Sequence, residues 1–212
     1  MSFSSAGDDM IITEVRRPSS RRSGLQLSRS TSSIVRSLSS PLSKLCVVLD
    51  LDGVLVSSST SASGFYDFDI YVNMENGSEQ RLFIQKRPYL DSFLATVGSI
   101  ADIIIFTRSK REWVEQVISY IDPLSKYFTK QVYADQIRGE DNEKSLSCIS
   151  PRTERTICIE CTPQFKSNSE NRITISKFDG VGSDGELLYL KEKIEQLNLL
   201  YDVRNALRVP IQ

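Results

Sequence analysis

The chain has 212 residues, 40% of them apolar, enough for one domain with a full core plus a tail. Formal net charge is −1, and seven basic residues against three acids in residues 1–44 leave about −5 for the remainder, a balance that disfavours a nucleic-acid-binding core. There is no His, which excludes imidazole bases, His metal ligands and Ser-His-Asp catalysis, so carboxylates, Lys and Cys must carry any chemistry.

Residues 1–43 hold fourteen Ser and six Arg with few large apolar side chains, a composition that cannot bury enough surface to offset ordering entropy and reads as a disordered tail. Three uses are open to it. It can be a plain linker, a regulated tail in which Ser19 and Ser23 follow paired arginines and suit a basic-directed kinase, or a mitochondrial presequence, against which Asp8, Asp9 and Glu14 argue. Cys46, Cys148, Cys158 and Cys161, with no secretory h-region ahead of them, suggest free thiols in a reducing compartment. No apolar run reaches the roughly 18 residues that a membrane-spanning helix needs, so no membrane span is expected.

From residue 44 to 212 the punctuation is that of an alternating α/β domain. Leu45 to Leu49 reads as a buried strand. A Ser- and Thr-rich stretch then leads to a hairpin, Phe68 to Val72 and Arg81 to Ile84 around Asn76-Gly77, inserted after the first strand. Pro88 suits the first turn of a helix burying Leu90, Phe93, Leu94 and Val97, which Gly98 can close. Ile103 to Phe106 is a second buried strand. Ser109 to Glu112 has capping-box spacing, and Trp113, Val114, Val117, Ile118 and Ile121 recur at helical period until Asp122-Pro123. Thr156 to Ile159 is a third strand, ending at Glu160-Cys161. After Ile173 to Ile175, a second capping box, Ser183 to Glu186, opens a helical region with an apolar stripe from Leu187 to Leu207.

Parallel strands joined by helices gather their C-terminal ends along one sheet edge, where ligands of such sheets bind. Asp50 and Asp52 end the first strand, one residue apart and so on one side of it, with Gly53 allowing a sharp turn. Two such carboxylates suit nucleophilic attack by one and proton transfer by the other, with a divalent cation screening their repulsion. A strand running into a polar Asp-Gly turn would leave the same letters. Thr107 ends the second strand and is also a common capping residue; Glu160 and Cys161 end the third. Cys158-x-x-Cys161 fits a buried strand thiol better than a zinc or redox pair, having no second pair and no His.

Asp50-Leu51-Asp52-Gly53-Val54-Leu55, Thr107, Lys144 and Glu160-Cys161, in that order, resemble the haloacid dehalogenase superfamily. More narrowly, Lys86-Arg87-Pro88-Tyr89-Leu90-Asp91-Ser92-Phe93-Leu94, Ile105-Phe106-Thr107 and Ser183-Asp184-Gly185-Glu186-Leu187 resemble the small C-terminal-domain phosphatases, and the likeness spans about Leu45 to Arg208. The resemblance implies a Rossmann-like three-layer α/β domain with a parallel central sheet and the hairpin insertion. It also implies a magnesium-dependent protein serine/threonine phosphatase acting on a phosphoserine- or phosphothreonine-containing protein tail. Asp50 would be the nucleophile, forming an aspartyl-phosphate, and Asp52 the acid and then the base. Thr107 would hydrogen-bond a transferring oxygen, Lys144 would offset charge, and Mg2+ would sit among Asp50, Asp52, Glu160 and Cys161. Here the sequence departs from the family, which usually has Asp-Asn or Asp-Asp where this chain has Glu160-Cys161, and a thiol is a poor ligand for a hard cation. Val54 replaces a usual Thr, and Ser145 an Asp that commonly follows Lys144. The competing expectation is a catalytically silent binding module, similar to the mitochondrial inner-membrane translocase component built on the same domain. Nucleus, cytoplasm and mitochondrion all remain open as compartments. Phe65, Tyr66 and Phe68 are expected either to line a peptide groove or to fill the hairpin core.

Overall fold

Three apolar runs with no polar alternation become the centre of a parallel sheet, buried on both faces: β1 (Leu45–Leu49), β5 (Ala101–Thr107) and β7 (Thr156–Glu160). The computed structural model describes residues 42–62, 64–133, 146, 149–162 and 168–208, all within a unit spanning Leu42–Gln212 that is distinct from Met1–Pro41. The expected tail therefore lies almost entirely outside the described residues, and so does Lys144. Five strands form the sheet in the order β6-β5-β1-β7-β8, all parallel, with β6 (Phe128–Tyr133) and β8 (Arg172–Thr174) at its edges. Leu49 pairs with both Ile105 and Ile159. The three central strands thus end level with one another, bringing Asp50, Thr107 and Glu160 to one edge.

One face of the sheet (Leu45, Val47, Leu49, Ile103, Ile105, Ile157, Ile159) packs under α1 (Leu90–Ile100), α2 (Arg111–Ile121) and α3 (Glu186–Asn198). Phe93, Leu94, Val114, Leu190 and Ile194 are fully buried there, each contributing about 1.5–3 kcal/mol by leaving water. On the opposite face Val48, Ile104, Phe106, Val132 and Cys158 gather around Leu146.

Local chemistry corrects several helix boundaries expected from the sequence. Neither capping box forms. Ser109 lies ahead of α2, whose cap position is Lys110, and Glu112 instead accepts a hydrogen bond from the Asn73 side chain at 2.8 Å. At α3 the Asp184 carboxylate, not Ser183, accepts the Glu186 amide at 3.0 Å. Gly98 does not end α1; a Cβ there would meet the Tyr127 ring at 3.1 Å, so the glycine serves close packing. The apolar stripe from Leu187 to Leu207 is broken after Asn198 and resumes in the short α4 (Arg204–Leu207). Buried Arg155 accounts for the break, donating to the carbonyls of Leu197, Asn198 and Leu200 at the end of α3.

The inserted hairpin is part of a three-stranded antiparallel sheet, β2-β4-β3, built from β2 (Val56–Ser59), β3 (Phe68–Asn73) and β4 (Glu79–Lys86). Its outer strand is docked on α2. The Gln116 amide exchanges hydrogen bonds with the Tyr71 backbone at 3.2 and 2.6 Å, blunting the open edge. Phe68 stacks on Tyr120 with centroids 4.3 Å apart, Tyr66 meets Phe83 edge-on at 4.9 Å, and Phe65 stands exposed.

A buried guanidinium joins these parts. Arg87, 1% exposed, donates to both Asp184 carboxylate oxygens at 2.8–3.0 Å. It also donates to the carbonyls of Gly53 (3.4 Å), Val54 (3.2 Å) and Ser176 (2.8 Å). Replacing Arg87 by Met strips donors from a partly buried carboxylate and three carbonyls, an expected cost of about 3 kcal/mol at neutral pH. Partial burial pushes the Asp184 carboxyl up, but the Arg87 hydrogen bonds and the Glu186 amide outweigh it and hold it below the usual aspartate range. A depressed folded-state pKa means stabilisation that is full above about pH 3.9 and lost as pH falls through the folded value. The stability gap between parent and Arg87→Met, measured by urea unfolding, should therefore narrow toward acid pH, whereas a gap independent of pH would contradict this account of the pair.

Candidate active site

The turn after β1 is tied from several directions. The Asp50 amide donates to the Ile159 carbonyl at 3.1 Å, keeping it in register with β7. Leu55 and Val56 then donate back to the Leu51 carbonyl at 2.9 and 3.2 Å, and Gly53 donates to Val56 at 2.8 Å. This reversal needs φ of +72° at residue 53, where only glycine is unstrained. A Cβ there would also come within 2.9 Å of Lys177 Cγ and 3.1 Å of Cys161 Sγ.

Asp50 is 8% exposed, and its Oδ1 accepts the Leu51 amide at 2.9 Å, which orients the carboxylate. Asp52 is half-buried. Burial drives its carboxyl above the ordinary aspartate range, Lys177 opposes that, and the Asp50 charge adds to it. A raised carboxyl suits Asp52 to carrying a proton. Thr107 is buried, and its Oγ1 accepts the Ser109 amide at 3.1 Å. That bond engages the oxygen as acceptor and leaves the hydroxyl proton to point elsewhere.

Asp50, Asp52, Thr107, Arg108, Ser109, Cys161, Thr162 and Lys177 line one cleft of about 260 Å³. Four sequence-predicted residues, Asp50, Asp52, Thr107 and Cys161, are thus brought together. Cys161 Sγ lies 3.8 Å from the Asp52 carbonyl oxygen. Glu160 does not line the cleft; its carboxylate is buried against Arg172, 2.6 Å from Nε. Strand geometry accounts for this, because β8 runs beside β7 and brings Arg172 opposite Cys158, on the face that Glu160 shares. Lys144 lies outside the described residues. Among the described residues no group of three or more Cys, Asp or Glu is placed to hold a metal ion.

Two cations of the cleft, Arg108 and Lys177, are missing from the sequence-predicted set. A signal existed for each. Arg108 follows Thr107 directly, and Lys177 lies three residues past the end of β8, at the same sheet edge.

A second recess of about 330 Å³ shares Asp52 and Ser109 with this cleft. It runs between the inserted sheet and the start of α2, lined by Ser58, Val72, Met74 and Trp113 among others.

Comparison with known proteins identifies the family and the fold. Residues 45–204 match the family model described as NLI interacting factor-like phosphatase. The chain is 33% identical over 170 residues to CTD small phosphatase-like protein 2 of Dictyostelium discoideum, covering 78% of this chain and 29% of that protein. It is 28% identical over 169 residues to human carboxy-terminal domain RNA polymerase II polypeptide A small phosphatase 1, covering 79% and 64%. It is 30% identical over 174 residues to nuclear envelope morphology protein 1 of Schizosaccharomyces pombe, covering 80% and 37%. The chain thus spans from about a third to under two thirds of these relatives' lengths. Its fold is similar to that of the fission yeast RNA polymerase II CTD phosphatase Fcp1-R271A bound to beryllium fluoride, with a TM-score of 0.57 at 18% identity over 86% of this chain and 57% of that one. With 160 of its residues matched by that model, the chain belongs to the NLI interacting factor-like phosphatase family.

Proposed function

We propose that this chain is a protein serine/threonine phosphatase that works through an aspartyl-phosphate on Asp50. The observation that carries the reading is the convergence of Asp50, Asp52 and the Thr107 hydroxyl in one cleft that opens into a groove beside the inserted sheet. Asp50, oriented by the Leu51 amide, attacks phosphorus. Asp52, whose carboxyl burial raises above the usual aspartate range, gives its proton to the departing serine or threonine oxygen and later takes one from the attacking water. Thr107 donates to a transferring oxygen, and Lys144 offsets its charge.

The donor set suits magnesium in a reduced form. The Asp50 carboxylate and the Asp52 carbonyl are hard oxygens, and this ion ordinarily completes its shell with waters and substrate phosphate. Beside that carbonyl stands the Cys161 thiol, while the Glu160 carboxylate is engaged by Arg172. Once bound, the ion would supply charge neutralisation at the phosphoryl group.

The groove lined by Val72, Met74 and Trp113 suits an extended, partly apolar peptide flanking the phosphorylated residue. A phosphorylated protein tail, of the kind the human relative's name records, is the substrate class. The names of these relatives, which refer to RNA polymerase II and to the nuclear envelope, support a nuclear location. Among the described residues no helix is long and apolar enough to cross a membrane.

Hydrolysis of a phosphoserine peptide with magnesium should fall on the order of 10³-fold or more in Asp50→Asn. Equal rates in parent and variant, or turnover by neither, would favour a binding module on the same fold. Cys161→Asn puts an amide oxygen in place of the thiol and should tighten magnesium binding about tenfold. An unchanged metal titration would mean that residue 161 does not face the ion.

A further inference from the structure

The lining of the catalytic cleft balances two carboxylates, Asp50 and Asp52, with two cations, Arg108 and Lys177. A phosphate dianion entering it meets two side-chain cations, which offset the two carboxylates before any divalent ion is counted. We infer that Lys177, assisted by Arg108, is a phosphate-holding residue of this cleft, so that the site takes up a phosphate group without a bound divalent cation. The inference deepens the phosphoryl-transfer reading and rests on it.

An exposed lysine is ordinarily a solvated charge on a mobile stem. Lys177 is placed differently. Both of its chain neighbours are hydrogen-bonded to the assembly that builds the catalytic turn: the Phe178 amide to the Gly53 carbonyl at 2.9 Å, and the Ser176 carbonyl to Arg87 at 2.8 Å. Its stem then runs across Gly53, so closely that a Cβ at residue 53 would lie 2.9 Å from Cγ and 3.3 Å from Cε. Glycine at 53 thus gives the lysine its path over the turn, and Lys177 lines the cleft together with Asp52, whose carboxyl its charge influences. No carboxylate among the described residues forms a salt bridge with it, in contrast to Arg87 and Arg172, whose charges are engaged.

The far wall explains why such a cation is useful. Cys161 offers a thiol beside the Asp52 carbonyl, Glu160 is committed to Arg172, and the described residues hold no cluster of three acids or thiols fit for a metal. With fewer hard donors around the ion position, more of the phosphate's charge falls to side-chain cations, whose hydrogen bonds to phosphate oxygens are charge-assisted.

The test is calorimetric titration of the full chain with inorganic phosphate in the presence of EDTA. The parent should bind. Lys177→Met, which keeps the stem and removes the charge, should bind on the order of 10- to 100-fold more weakly. Lys177→Arg should restore most of that loss, Arg108→Met should show a smaller one, and near-UV circular dichroism should match the parent in each. Absence of phosphate binding by the parent in EDTA, or parental affinity in Lys177→Met, overturns the inference. Its failure is separable from that of the catalytic reading: Lys177-dependent phosphate binding by a parent that turns over no phosphopeptide sustains the former and sinks the latter.

Discussion

One buried cation ties together the turn after β1, the segment carrying Lys177 and the entry to α3. Arg87 satisfies the Asp184 carboxylate ahead of α3 and at the same time the carbonyls of Gly53, Val54 and Ser176. The turn that presents Asp50 and Asp52, the segment that presents Lys177 and the entry to α3 thereby share one planar set of donors. A lysine could match the charge but not the fork of fixed N–H directions. Burying a guanidinium costs several kcal/mol unless its hydrogen bonds are made, and here both edges of the fork are used. The arrangement therefore specifies geometry more than it adds stability.

Much of this was legible in the sequence, and the reasons differ by element. β1, β5 and β7 announce themselves as continuous apolar runs because both their faces are covered. The hairpin is given by Asn76-Gly77 between alternating segments. Two strands carry no such signal: β2 is largely serine and is held by pairing with β4, while β6 sits at a sheet edge with polar Thr129 and Lys130 exposed. Pairing supplied by a distant partner overrides local propensity. Helix starts were misplaced for a related reason. Glu112, read as a local capping group, is spent on Asn73, 39 residues away, and Asp184, read as a motif letter, both receives the Glu186 amide and pairs with Arg87, 97 residues away.

The site shows the same division. Asp50, Asp52 and Thr107 follow from strand ends in a parallel sheet, and Cys161 joins them in the cleft. Glu160 follows the alternation of its strand toward Arg172, a partner invisible until β8 is known to lie beside β7. In the sequence Arg108 and Lys177 differ from ordinary surface charges only by position, one directly after Thr107 and the other three residues past β8. Only the packing of the lysine stem on Gly53 distinguishes it from a solvated residue. The cleft that results brings together an oriented carboxylate, a second carboxylate raised by burial, a threonine hydroxyl and two cations.

The most direct test of this account is the covalent state of Asp50 during turnover. When the chain is mixed with a phosphoserine peptide and magnesium and quenched in acid within the first turnovers, mass spectrometry should find one added phosphoryl group on the peptide containing Asp50, lost on treatment with hydroxylamine. Turnover with no phosphoryl adduct at Asp50, or an adduct at another residue, would contradict it.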